Sequence, residues 1–136
     1  MKRRSFLVLG AALLATPALA QTPATRTIRV HFARGSRSTT LRGSVQGYDT
    51  VDYAFVAHGG QTLSLRLRSD NDFANVAVFG PDGGDVDVNL SHGDTFASEL
   101  RQSGRYRARV FIMRADARRG ALARYRLTIG ISDDGE

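Results

Sequence analysis

The stretch Arg105-Tyr106-Arg107-Ala108-Arg109-Val110-Phe111-Ile112 decides the fold, because Tyr106, Ala108, Val110 and Ile112 alternate strictly with Arg105, Arg107 and Arg109. Successive side chains of an extended chain point to opposite faces, so this pattern belongs to a strand with one face in a core and the other in water. Outward from it the alternation recurs. Tyr125, Leu127, Ile129 and Ile131 oppose Arg124, Arg126 and Thr128; Leu63, Leu65 and Leu67 oppose Ser64, Arg66 and Arg68; Ile28, Val30 and Phe32 oppose Arg29 and His31. Turn-forming clusters separate these runs at Gly35-Ser36, Gly47-Tyr48-Asp49, Gly59-Gly60, Ser69-Asp70-Asn71, Gly80 to Gly84, Ser91 to Asp94 and Ser103-Gly104. Short half-buried strands at this spacing predict an all-β fold, a single antiparallel β-sandwich of about eight or nine strands. One connection differs in kind. Arg114 to Ala123 has helix formers and no alternation, which predicts a protruding loop with a single helical turn.

The 136 residues, 42% hydrophobic with 14 Gly and 3 Pro, exclude collagen-like and low-complexity classes and suit one globular domain. The absence of cysteine excludes disulfides, thiolate metal sites, a thiol nucleophile and a lipid-anchoring cysteine. Lys2, Arg3 and Arg4, the apolar run Phe6 to Leu14 and the small-residue site Ala18-Leu19-Ala20 together form a secretory signal peptide over residues 1–20. Its Arg3-Arg4-Ser5-Phe6-Leu7 is similar to a twin-arginine signal, so general-secretion and twin-arginine export both stay open. The expected mature domain is residues 21–136, exported to the periplasm and not inserted in a membrane, with residues 21–25 a flexible lead and Ser132 to Glu136 a frayed acidic tail.

Three of the 19 cations leave with the leader, so a formal net charge of +6 becomes +3, and every remaining cation is Arg. These charges are unevenly placed. Residues 101–126 hold nine Arg against Asp116 alone, whereas residues 70–99 hold seven carboxylates and no cation. In an exported protein such polarity suits an acidic protein or the cell envelope, and no nucleic-acid-binding motif is present. The strand arginines themselves read as a solvated sheet face.

Catalytic constellations are missing. His31, His58 and His92 lie in separate elements without metal-ligand spacing and beside no nucleophile pattern. The Gly-rich turns join strands and do not open helices, which excludes phosphate loops and dinucleotide fingerprints. Asp85-x-Asp87-x-Asn89 invites a calcium loop, but Leu90 stands at the sixth position and Phe96 at the twelfth, where an EF-hand needs Gly and Glu. No catalytic residue, metal or cofactor is therefore expected, a surface calcium site built with the Asp82 turn being the one alternative left open. Two segments are poorly explained as scaffold: Tyr48, an aromatic where a turn prefers small polar residues, and the cluster Arg114, Asp116, Arg118 and Arg119, in which an Asp–Arg pair would order the loop before a partner arrives.

Several segments in order carry a family resemblance: Gly47-Tyr48-Asp49 followed by Tyr53, Phe79-Gly80-Pro81, Ser103-Gly104-Arg105-Tyr106 leading into Arg109-Val110, and Arg114-Ala115-Asp116-Ala117-Arg118 followed by Tyr125. From Ile28 to Ile131 the chain resembles the periplasmic inhibitors of goose-type (g-type) lysozyme. The resemblance implies a small β-sandwich without enzymatic activity that inserts two loops into the lysozyme's substrate cleft; the sequence does not give the oligomeric state, and a monomer is the expectation. It places Tyr48 and Arg114 in that cleft, with Asp49, Asp116 and Arg118 as supports or secondary contacts. Ser103-Gly104-Arg105-Tyr106 is one residue shorter than the S-G-x-x-Y motif of chicken-type lysozyme inhibitors. The strand, Gly-Gln and Ser-Gly-x-Tyr elements alone also resemble prepeptidase C-terminal domains, which would imply a binding module for envelope glycans or proteins.

Overall fold

Alternation in the sequence becomes nine strands in a computed structural model that describes residues 23–32 and 37–133. The leader, the Gly35-Ser36 turn and residues 134–136 lie outside the described residues. The strands are β1 (Thr25–Arg29), β2 (Ser38–Gln46), β3 (Thr50–Ala57), β4 (Thr62–Ser69), β5 (Ala74–Phe79), β6 (Asp85–Ser91), β7 (Thr95–Glu99), β8 (Gly104–Ile112) and β9 (Leu122–Ser132). A short helix, α1 (Arg114–Arg118), stands between β8 and β9. Two sheets form, a five-stranded one in the order β1-β3-β8-β5-β6 and a four-stranded one in the order β2-β9-β4-β7.

One pairing departs from the antiparallel expectation. β1 runs parallel to β3, with Thr25 opposite Thr50 and Arg29 opposite Ala54. The chain leaves β1, reverses through β2 in the other sheet and reverses again into β3, and two reversals restore the original direction. β1 also ends at Arg29, earlier than its alternation suggests, so His31 lies beyond the strand. At the other end the expected frayed tail begins too early. Ser132 still belongs to β9, and the Asp133 carboxylate accepts a hydrogen bond from Gln61 Nε2 at 2.8 Å.

The inward faces meet in one core that includes Leu63, Leu65, Leu67, Val76, Val110, Leu127 and Ile129, all 2% exposed or less. Several residues of the family resemblance belong to this scaffold. Tyr106 donates its hydroxyl to the Gln102 carbonyl at 2.6 Å and stacks on Phe55 with centroids 5.6 Å apart, anchoring the start of β8. Gly104, at φ +146°, takes a backbone region L-residues avoid, and a Cβ there would stand 2.8 Å from Pro81. Tyr53 and Tyr125 join hydroxyl to hydroxyl at 2.7 Å across the two sheets. Burial raises the pKa of both phenols.

Pairing also fixes which connections become neighbours. β2 pairs β9 so that Gln46 faces Leu122, and β3 pairs β8 so that Val51 faces Val110. The β2–β3 turn and the β8–β9 connection therefore cross between the sheets side by side, at the same end of the sandwich. These are the two segments that the sequence leaves unexplained.

Candidate functional site

At the β2–β3 turn the backbone reverses over Gly47, at φ +60°, and the Asp49 amide donates to the Gln46 carbonyl at 3.0 Å. The turn is tied to the neighbouring connection by two bonds: the Gly47 amide donates to the Ala121 carbonyl at 2.9 Å, and Gln46 Nε2 to the Gly120 carbonyl at 3.3 Å. Tyr48 projects outward, 50% exposed, from a backbone that is held on both sides. Asp49 is half-buried, and its Oδ1 accepts the Ala24 amide at 2.9 Å, so this carboxylate fastens the chain ahead of β1 to the turn.

Across from it, α1 folds because the Asp116 and Ala117 amides both donate to the Met113 carbonyl. The helix is closed by Gly120, at φ +74°, whose amide donates to the Ala117 carbonyl. Ala117, 3% exposed, docks the helix on the core. Asp116 is buried as well and pairs with the Arg119 guanidinium, while Arg114 and Arg118 are exposed. The paired acid thus orders the segment through Arg119 and leaves Arg114 presented at the helix start.

Tyr48 and Arg114 line the same groove, about 750 Å³, together with Asp49, Phe79, Arg109 and Phe111. Neither residue turns into the core, and Arg118 is not among the residues that line the groove.

Arg109, which lines the groove, reads from its alternation as part of a solvated sheet face, but it belongs to a cluster with Asp52 and Arg107, which are not among the lining residues. Asp52 is 2% exposed, although it sits on the outer side of β3. Arg109 grips it with Nε on Oδ1 at 2.7 Å and Nη2 on Oδ2 at 3.0 Å, and Arg107 Nη1 adds a bond to Oδ2 at 3.0 Å. Both guanidinium carbons lie 5.1 Å from the centre of the Phe79 ring. The result is a fixed platform of two cations, one ring and one carboxylate. The hydrogen bonds to Asp52 raise the Arg109 pKa further, against the opposing effect of burial. Arg107 and Arg109 are accordingly half-buried and paired, which corrects the reading of them as freely solvated. The cross-strand match of Asp52 with Arg109 exposes this pairing only once the β3–β8 register is known.

No family model matches the chain. A curated relative, an inhibitor of g-type lysozyme from Escherichia coli (strain K12), is 34% identical over 137 aligned residues, covering 95% of this chain and 95% of the relative. Among solved structures, the periplasmic inhibitor of g-type lysozyme from Aeromonas hydrophila superposes with a TM-score of 0.76 at 33% identity, over 82% of this chain and 100% of that one. The pre-peptidase C-terminal domain of a collagenase from Bacillus anthracis superposes with a TM-score of 0.53 at 15% identity, over 82% of this chain and 99% of that one, a likeness of fold alone.

Proposed function

The chain belongs to the family of g-type lysozyme inhibitors, and from that premise we propose that it is a periplasmic inhibitor that fills the substrate cleft of a g-type lysozyme with Tyr48 and Arg114. It has no catalysis of its own; its partner is the enzyme. The observation that carries this reading is the convergence of the Tyr48 turn and the Arg114 helix start on one groove, with the turn hydrogen-bonded to Gly120 and Ala121 of the connection that carries Arg114.

The chemistry suits the target. Glycoside hydrolases place carboxyl groups on either side of the scissile bond, so their clefts are acidic and shaped for sugar rings. A guanidinium pairs with such carboxylates, and a phenol supplies apolar area with a polar tip for the sugar-binding walls. Arg114 beside the general acid would favour its ionised form and withhold the proton that the leaving group needs. Arg109 and Phe79 extend the same surface behind the two projecting residues, with Arg109 already ordered by Asp52. Pre-ordering of this kind lowers the entropic cost of association. Asp49, Asp116 and Arg119 act by holding the projecting segments in place, and Arg118 is a peripheral contact.

Occlusion makes a kinetic prediction. With a soluble oligosaccharide substrate, the purified protein raises the apparent KM of g-type lysozyme and leaves kcat unchanged, at one inhibitor per enzyme. Inhibition that lowers kcat at saturating substrate would contradict cleft occlusion. Binding to peptidoglycan with no effect on lysozyme turnover would replace the inhibitor by a glycan-binding module.

A further inference from the structure

On the face of the sandwich opposite the groove, the four-stranded sheet sets three arginines in one row. Arg68 of β4 lies directly across from Arg126 of β9, which lies directly across from Arg42 of β2. Adjacent strands are about 4.8 Å apart, so the backbone positions of the three arginines span roughly 10 Å. Arg66 and Arg124 flank it, and all five line one broad depression of about 1250 Å³. Like charges directly opposite on a sheet destabilise it. Local acids do little to relieve this: Asp70 pairs with Arg124 at 3.4 Å, and among the described residues Arg42, Arg66, Arg68 and Arg126 make no ion pair.

From this arrangement we propose that the outer face of the four-stranded sheet docks the protein on an anionic lipid surface, with Arg42, Arg66, Arg68 and Arg126 binding headgroup phosphates. The planar guanidinium forks toward phosphate oxygens, and several such side chains on a broad face can each take a separate headgroup. Around the row the outward positions of β2, β4 and β9 include Thr40, Ser44, Ser64 and Thr128, and the edge strand β7 adds Thr95, Ala97 and, at its far end, Glu99, without an exposed Tyr, Trp or Phe among them. Protein interfaces concentrate binding energy in aromatic anchors, and sugar rings stack on aromatic rings; this face offers neither. It suits mobile phosphates held by charge and hydrogen bonds, without insertion into the bilayer. Because the groove lies on the other sheet, a docked molecule keeps Tyr48 and Arg114 directed away from the lipid. The proposal is independent of the inhibitor reading.

The test is co-sedimentation of the purified protein with vesicles of phosphatidylglycerol mixed with phosphatidylcholine, and with vesicles of phosphatidylcholine alone. Binding is expected only to the anionic vesicles, and it weakens as salt is raised. The triple variant Arg42→Gln/Arg68→Gln/Arg126→Gln should bind on the order of 100-fold more weakly, from about fivefold per cation near an anionic surface. It should still inhibit lysozyme as the parent does. The charge-retaining variant Arg42→Lys/Arg68→Lys/Arg126→Lys should bind within about tenfold of the parent, and it serves as the comparison should the Gln variant fail to fold. Equal binding to both vesicle types overturns the proposal, as does undiminished binding by a folded Gln variant. Capture by dextran sulfate with no vesicle binding assigns the face to an anionic glycan and overturns it equally.

Discussion

Asp52 is the residue that holds Arg109, one wall of the groove, in place. Its carboxylate is buried on an outer sheet face, a position that would be costly without the guanidiniums of Arg107 and Arg109 around it. Removing the acid leaves two partly buried cations side by side against Phe79 with no anion between them. Asp52→Ala should therefore lower unfolding stability by about 3 kcal/mol, the low end for broken buried pairs, since both guanidiniums keep some solvent contact. Urea unfolding measures this, and a loss under about 1 kcal/mol would mean that the cluster is not a structural keystone. Its legibility was limited for a definite reason. The sequence alternation puts Arg107 and Arg109 outward correctly, but their contact with Asp52 spans more than fifty residues and depends on a β3–β8 register that no local pattern encodes. Tyr48 is the contrary case. It was conspicuous because a turn disfavours its residue type, a signal contained within three positions.

Among the elements, strands with one polar and one apolar face were legible, since period two is a local property: β4, β8 and β9 follow the alternation nearly residue for residue. The single helical turn after β8 was also legible, from the loss of that alternation. The parallel placement of β1 was not, because it follows from how β2 crosses to the other sheet. The β2–β3 turn combines both kinds of information. Gly47 at φ +60° is needed for the reversal, and the hydrogen bond its amide donates to the Ala121 carbonyl ties the turn to the β8–β9 connection that carries Arg114. A β-branched residue there resists the left-handed region at a cost of roughly 1–2 kcal/mol and should displace Tyr48. Gly47→Val is expected to weaken lysozyme inhibition about tenfold or more. Gly60→Val in the β3–β4 turn, at φ +94°, should carry a similar stability cost with inhibition intact. If the two variants inhibit equally well, the turn's conformation does not matter for binding.

For the molecule as a whole, the two proposed binding surfaces lie on different sheets. One end and outer face gather a phenol, an exposed cation and an ordered Arg–Phe platform; the opposite face gathers five arginines, of which only Arg124 makes an ion pair among the described residues. The family and the sandwich were both legible in the chain, because ordered motifs and alternation survive at 34% identity to a known relative. The Arg ladder was not, since Arg42, Arg68 and Arg126 come from three distant segments and meet only through pairing. The central claim is that Tyr48 and Arg114 act together as the plug, and the inhibition constant of the Tyr48→Ala/Arg114→Ala variant against g-type lysozyme tests it most directly. Truncating a buried, paired interface charge alone costs about 2–5 kcal/mol, so the double variant should inhibit at least roughly 30-fold more weakly while its melting temperature stays that of the parent. Inhibition undiminished in a folded double variant would contradict the account.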